Sequence, residues 1–424
     1  MYKLVSVSDK TNIDVICKFF IEKGEKILST GGTYNFLREK LPGYSESIIK
    51  VSDITEFPEI LNGRVKTLHP KIFGGLLCKY DNKDHLNEID NHNIPKINGV
   101  IVNLYPFVET VNKYNDNNNN DIINQDIIEN IDIGGVTLIR AAAKNYQHIL
   151  TITDPNDYDY IMNNITNNNL NKIFAAKAFN HISIYDNAIS NYFNDISQSS
   201  DQINRSHQIS MYLKYGCNPH QKHAGIYTHN GKNPFTVLNG KCGYINIIDA
   251  IHSWQLVKEL SDCLVKPCAA SFKHTSPAGV GTSKPLSDIL KQIYDVEGME
   301  LSPLAIAFIR ARNSDPMSSF GDFIALSHTV DKSTASLIKR FISDGVVAPG
   351  YTDEAMEILK SKRSGNYLVL KVDRDYNNRD SVECKDVFGI TLVQSVNNYI
   401  MDKENIGDIV TNSKELEDED KENL

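Results

Sequence analysis

The strongest constraint on this chain is an alternation over its first 155 residues. Short apolar runs are each followed by a segment of helical period. "KLVSV" (3–7) reads as a buried strand. After it Ile13, Ile16, Cys17, Phe20 and Ile21 recur at helical spacing, and Lys23-Gly24 closes the helix. "KILS" (26–29), "GVIVNLY" (99–105) and "HILTIT" (148–153) are further apolar strands. "TGGT" (30–33) opens a helix carrying Phe36 and Leu37, and "DPNDYDYI" (154–161) reads as a helix started by proline. Strands that alternate with helices specify an α/β fold around a mainly parallel sheet.

In such sheets ligands bind beyond the carboxyl ends of the strands. "SDK" (8–10), "TGGT" and "NLYPF" (103–107) fall at that edge. The N–H groups and dipole of the helix after "TGGT" favour an anion, and the glycines allow close approach of the backbone. "GRVKTLHP" (63–70) adds Arg64, Lys66 and Thr67 in a chain whose formal net charge is −9, so this cluster is local rather than part of a basic field. Together the segments suit a phosphate. "NIDIGGVTLIRAAAKN" (130–145) sets Asp132 before a Gly-Gly turn, with Arg140 and Lys144 four apart on one helix face. Two readings follow. The cations complement the helix C-terminus, or a carboxylate and a lysine converge on one ligand, where a desolvated Lys serves in proton transfer.

After a polar linker, "SQSSDQINRSHQ" (197–208), a second α/β pattern begins behind "LKYGCNPHQ" (213–221). A helix around "AIHSWQLVKEL" (250–260) leads into the strand "AASF" (269–272), which ends in "KHTSPAG" (273–279). Lys273 and His274 therefore stand at a strand end beside a Pro/Gly turn. A cation next to a histidine lowers the imidazole pKa and keeps a neutral base available, and the lysine can neutralise an oxyanion. "RARNSDPMSSFGDF" (310–323) and "SDGVVAPG" (343–350) are two more turn-rich segments beside apolar strands.

With 424 residues, 41% of them hydrophobic, the chain is long enough for two or three cores. Its pI of about 5.8 argues against a nucleic-acid binder. The seven cysteines are scattered, with no CxxC pair, so neither a disulfide framework nor a zinc site is expected, and a reducing compartment fits. No secretory leader and no run of about 18 apolar residues is seen, which points to a cytosolic protein with no membrane contact. Two asparagine-rich tracts, "NDNNNND" (115–121) and "NNITNNNLN" (163–171), read as surface loop insertions.

The segments "SVSDKT", "LSTGGT", "NGRVKTLHP", "NLYPF", "IDIGGVTLIRAAAKN", "YGCNPHQ", "FKHTSPAG", "MSSFGDF" and "DGVVAPG", in this order, resemble the bifunctional purine-synthesis family that joins AICAR transformylase to IMP cyclohydrolase. "AASFKHTSPAG", "PMSSFGDF" and "GNYLVL" look closer to its eukaryotic branch. The resemblance implies an N-terminal methylglyoxal-synthase-like domain with a parallel sheet (1–199). A cytidine-deaminase-like α/β transformylase domain without zinc (200–424) would follow. It implies formyl transfer from the co-substrate 10-formyltetrahydrofolate to AICAR, then cyclodehydration of formyl-AICAR to IMP, with no metal and as a homodimer.

By the same resemblance Ser8, Asp9, Lys10, Thr30, Gly31, Gly32, Thr33, Arg64, Val65, Lys66 and Thr67 surround the nucleotide of the cyclisation site. Val102, Asn103, Asp132 and Ile133 line its base side. Lys144 is the implied proton donor and acceptor, with Tyr105 and Asp132 nearby, while His69 is read as structural. At the second site Lys214 and Tyr215 bind AICAR, His274 is the general base and Lys273 assists it. Gly321 and Asp344 stand at the AICAR and folate positions. Lys214 departs from the usual arginine and loses bidentate phosphate geometry. "SKELEDEDKENL" (413–424) ends without a helix stop, and the family continues further, so the chain is read as lacking a C-terminal segment. Two alternatives stay open: cyclohydrolase activity alone, or a non-catalytic nucleotide sensor. Lys144 with Asp132 and Tyr105 separates them, because a sensor needs the phosphate loop but not this set.

Overall fold

The computed structural model describes residues 1–115, 124–197, 202–228, 232–376 and 382–399. The asparagine-rich tract from 116 onward, residues 198–201 of the polar linker and the charged end 413–424 lie outside the described residues. The chain separates into two compact units, Met1–His207 and Gln208–Leu424.

In the first unit β1 (Tyr2–Val7), β2 (Lys26–Ser29), β3 (Ile48–Lys50), β4 (Ile97–Asn103) and β5 (Leu150–Ile152) form one parallel sheet in the order β3-β2-β1-β4-β5. Its strands read as near-continuous apolar runs because both faces are covered. One face packs Ile13, Ile16, Phe20, Leu37 and Phe174, and the other Ile72, Leu76, Leu138, Ile139 and Ala142. The chain leaves β1 toward β2 on one side, and leaves β4 toward β5 on the other. The order therefore reverses between β1 and β4, and a crevice opens beyond Val7 and Asn103. "DPNDYDYI" becomes a 3-10 turn, Pro155–Asp157, and a helix, Tyr158–Asn164. Most of the second asparagine tract joins this helix to the long helix Leu170–Ser197.

The second unit adds β6 (Gln208–Tyr212), β7 (Gly225–Thr228), β8 (Phe235–Asn239), β9 (Cys268–Lys273), β10 (Ser276–Thr282), β11 (Asp322–Leu326), β12 (Ser343–Ala348), β13 (Leu368–Val372), β14 (Val382–Val387) and β15 (Ile390–Ser395). Six of them form a mixed sheet, β10-β9-β11-β12-β13-β8, in which β11, β12 and β13 run parallel. The remaining strands make two hairpins, β6–β7 and β14–β15. The helix Tyr244–Leu264 packs Trp254 and Val257 on one face of the sheet, and Phe308, Ile309, Ile338 and Leu359 pack on the other.

"SPAG" is strand β10 rather than a turn, and the turn is only His274-Thr275, both left-handed with φ of 53° and 63°. Two successive left-handed residues make the tight loop that matches strand twist. Among the described residues no helix is long and apolar enough to cross a membrane.

Candidate active site

The crevice between β1 and β4 is a cleft of about 700 Å³. Ser8 and Lys10 line it after β1, Thr30, Gly32 and Thr33 after β2, Asn103 at the end of β4 and Tyr105 just beyond; the segments 62–64, 66–68 and 128–135 complete it. The helices Gly31–Lys40 and Gly134–Lys144 both begin at the cleft, and neither Thr30 nor Ile133 caps its helix with a side chain. Two such N-termini at one cleft make it favourable to anions.

Side chains that line the cleft also build its frame. The Asn103 side-chain oxygen accepts from the N–H groups of Ser8 (2.6 Å) and Asp9 (3.0 Å), and its amide nitrogen donates to Asp9 O (2.8 Å). The 8–10 loop is thus fixed to the end of β4. Buried Thr33 donates to Val7 O (3.1 Å) and accepts from Val7 N (3.3 Å), which ties the 31–40 helix to β1. Tyr185, from the long helix, donates to Asn130 O (2.6 Å) and accepts from Asp132 N (2.8 Å), holding the turn before Gly134.

The cationic loop is closed by a bridge between Ile60 and Val65, which sets Glu59 beside Lys66. Gly63 has φ +84°, and a Cβ there would come within 2.8 Å of Lys66 Cε. The left-handed φ is what favours glycine here, since the Lys66 chain end can move aside. Lys66 Nζ lies 3.9 Å from Glu59, whose other oxygen accepts from Gly31 N (3.0 Å). Arg64 is paired with Glu129, its Nε donating over 3.2 Å.

Asp132 Oδ1 accepts from Gly135 N at 2.7 Å. Burial raises its pKa, against the lowering effects of that bond and of Lys66. Tyr105 is likewise raised, by burial first and then by Asp132 and Glu59. Lys66, Asp132 and Tyr105 thus share the cleft wall and one electrostatic environment. Asp9, Gly31, Val65 and Val102 border the cleft without being among its lining residues, and Val102 is buried in the sheet. His69 caps the helix Pro70–Leu77, accepting from Lys71 N at 3.1 Å. Lys144 is exposed at the last position of its helix, about 15 Å along the axis from Gly134 at 1.5 Å per residue. The implied convergence of Lys144 with Asp132 is therefore not found within the chain. Glu59, Glu129 and Tyr185 went unnoticed in the sequence. Glu59 and Glu129 had a signal, as carboxylates beside a cationic loop and a Gly-Gly turn.

In the second unit the register gathers the predicted residues on one sheet edge. Phe272 and Phe323 are partners, as are Asp322 and Ser343, so the end of β9 meets the starts of β11 and β12. Lys273, His274, Gly321 and Asp344 follow from that alignment. Lys273 Nζ donates to Phe320 O (2.7 Å), and Asp344 pairs with Arg363 (3.2 Å). Buried Asp249 accepts from Thr275 N at 2.7 Å and so holds the turn bearing His274. Lys214 N donates to Cys242 O (3.0 Å), and Tyr215 O accepts from Tyr244 N (3.3 Å) at the start of the same helix that carries Asp249. Beneath the edge, burial pushes Asp322 up to about 6 while Ser271 donates to it at 2.5 Å, and burial lowers Lys362 to about 8.

An anion-seeking cleft with a carboxylate and a phenol beside it in one unit, and a His–Lys turn at a strand end in the second, describe an enzyme with two polar sites. The family model "AICARFT/IMPCHase bienzyme" matches residues 142–424, and the model "MGS-like domain" matches 12–137. The "Bifunctional purine biosynthesis protein PurH" of Thermoanaerobacter sp. (strain X514) is 38% identical over 435 residues, spanning 98% of this chain and 77% of that protein. The protein of the same name from Oceanobacillus iheyensis is 37% identical over 430 residues, with the same shares. The solved structure "Crystal structure of ForH" is 28% identical at a TM-score of 0.39 and covers 47% of this chain and 100% of that one. The chain belongs to the AICARFT/IMPCHase bienzyme family. It is an AICAR formyltransferase and IMP cyclohydrolase of purine biosynthesis, in a family whose transformylases use a formyl-folate as co-substrate.

Proposed function

We propose that the two activities divide between the two units. The cleft of Met1–His207 closes formyl-AICAR to IMP. The β9–β11–β12 edge of the second unit transfers formyl from 10-formyltetrahydrofolate to AICAR. The observation that carries the first half is one cleft holding two helix N-termini, Arg64 and Lys66 together with Asp132 and Tyr105. The 5′-phosphate lies against the 31–33 turn and the cationic loop, with Ser8, Lys10 and Thr67 around it. The base reaches toward Asn103, Asp132 and Ile133.

In ring closure the carboxamide nitrogen adds to the formyl carbon and sheds a proton. The former formyl oxygen, protonated twice, then leaves as water as the formylamino nitrogen loses its N–H proton and the carbon–nitrogen double bond forms. Asp132, its pKa raised by burial, takes the nitrogen's proton more readily than an exposed carboxylate would. Lys66 and Tyr105 stabilise and protonate the departing oxygen. Lys66 thus takes the proton-carrying role that resemblance gave to Lys144. In formyl transfer His274 is the base on the AICAR amine and Lys273 steadies the oxyanion, with Lys214, Tyr215 and Gly321 on the AICAR side and Asp344 on the folate side. Resemblance supports a homodimer, and the scattered free cysteines suit the cytosol.

The test follows the absorbance change as the purified chain converts formyl-AICAR to IMP. Cyclisation that survives Asp132→Asn unchanged refutes the assignment of the cleft.

A further inference from the structure

Glu59 borders the cleft without being among its lining residues, with its carboxylate against the first turn of the helix Gly31–Lys40. One carboxylate oxygen accepts from the Gly31 N–H, in the first turn of the helix Gly31–Lys40, and the other faces Lys66 Nζ at 3.9 Å. A Cβ built on Gly31 would lie 3.6 Å from both that second oxygen and Nζ, so backbone donor, carboxylate and ammonium share one small volume. Thr30 gives this helix no side-chain cap. A helix N-terminus with a lysine is the donor set that suits an oxyanion, and a carboxylate satisfies it as a phosphate does.

The loop explains how Glu59 gets there. The Ile60–Val65 bridge puts Glu59 and Lys66 side by side at the loop's neck. Between them Leu61, Asn62 and Gly63 are all left-handed, with φ of 54°, 55° and 84°, and Leu61 is exposed. A leucine holds that conformation only where its surroundings fix it, and the backbone bonds Gly63 N to Ile60 O (3.1 Å) and Arg64 N to Leu61 O (3.1 Å) tie this loop. The Glu59 side chain is itself exposed, so it has a path out to solvent.

We infer that Glu59 is a built-in competitor for the phosphate, a carboxylate that occupies the anion cradle between turnovers and is displaced when the nucleotide enters. This rests on the reading of the cleft as the nucleotide site. Displacement frees the Gly31 N–H for the phosphate and releases Lys66 from its carboxylate partner, and return of the carboxylate helps expel the product.

The test is calorimetric titration of the full chain with IMP and with inosine, which lacks the phosphate. Glu59→Gln keeps the shape and removes the charge. It is expected to bind IMP about two- to fivefold more tightly, the scale of one charge at a helix terminus, and to bind inosine as the wild type does. Glu59→Asp, whose shorter side chain withdraws from Gly31, is expected to shift IMP affinity in the same direction. Unchanged or weaker IMP binding by Glu59→Gln overturns the inference, as does an equal gain for inosine. If the wild type binds IMP and the variants gain nothing, only this inference fails. If none of the proteins binds IMP, the reading of the cleft fails with it.

Discussion

Two lysines divide the question of who carries the proton. Lys66 lies in the cleft and acts on Asp132, while Lys144 is exposed at the far end of its helix. Lys66→Ala is expected to lower kcat for cyclisation by about 10²–10⁴-fold, the usual worth of an acid–base group. On the geometry of one chain, Lys144→Ala is expected to stay within about threefold. A loss as large as that of Lys66→Ala would require Lys144 to reach the cleft of another copy. Stopped assays of IMP formation with both variants decide. The cationic loop was legible because Arg64 and Lys66 stand close together beside a glycine in a chain of net charge −9. The far position of Lys144 was not, since spacing along a helix says which face a residue shares but not which end meets the ligand. Asp322 makes a second residue-scale prediction. Its folded pKa of about 6 exceeds the ordinary carboxylate value of about 4, so between these the folded state keeps a proton that the unfolded state has lost. Stability then falls as pH rises through that window and levels above it. Denaturation midpoints at pH 4.5, 5.5, 6.5 and 7.5 should show the wild type losing ground to Asp322→Asn up to about pH 6, with no further change above.

The β9–β10 hairpin shows why a segment rich in Pro and Gly was misread. Glycines usually mark turns, but here they mark a close approach. A Cβ on Gly281 would lie 2.6 Å from Ala311 N, with the Ala307 carbonyl closer still, because the helix Pro303–Ser314 lies directly on β10. Gly281→Ala is therefore expected to destabilise the second unit by about 1–3 kcal/mol, the usual cost of overpacking, in urea denaturation. The turn itself was hidden for a different reason. Nothing in "KHTS" announces two left-handed residues, and the Thr275 N–H is held by Asp249, 26 positions earlier. Asp249→Ala leaves that N–H without its partner and should lower both stability and formyl transfer. Asp249→Asn, which still offers an oxygen, should restore stability. Equal destabilisation by both substitutions would show that the carboxylate's charge, not its hydrogen bond, supports the turn.

At the scale of the whole chain, the alternation of strands and helices revealed the first unit's class, but not its strand order. Reversal between β1 and β4 depends on which side each crossover takes, which periodicity does not encode. Two units with separate cores should also melt separately, and the chain carries its own reporter for this. Its single tryptophan, Trp254, is buried in the second unit. Trp254 fluorescence therefore follows the unfolding of Gln208–Leu424, while far-ultraviolet circular dichroism follows both units. A ligand that binds only the native state of one unit stabilises that unit alone, by about 2.7 kcal/mol at 100 times its Kd. Saturating IMP is expected to move the part of the dichroism transition that fluorescence does not see, because its cleft lies wholly within Met1–His207. The Trp254 midpoint should stay where it was. If the fluorescence transition shifts by as much as the dichroism, IMP either binds the second unit or the two units unfold as one. Repeating the titration with Lys66→Ala, which weakens the cleft and leaves the second unit intact, tells these apart. A Trp254 shift that survives the substitution comes from a site in the second unit, and one that vanishes comes from coupling between the units.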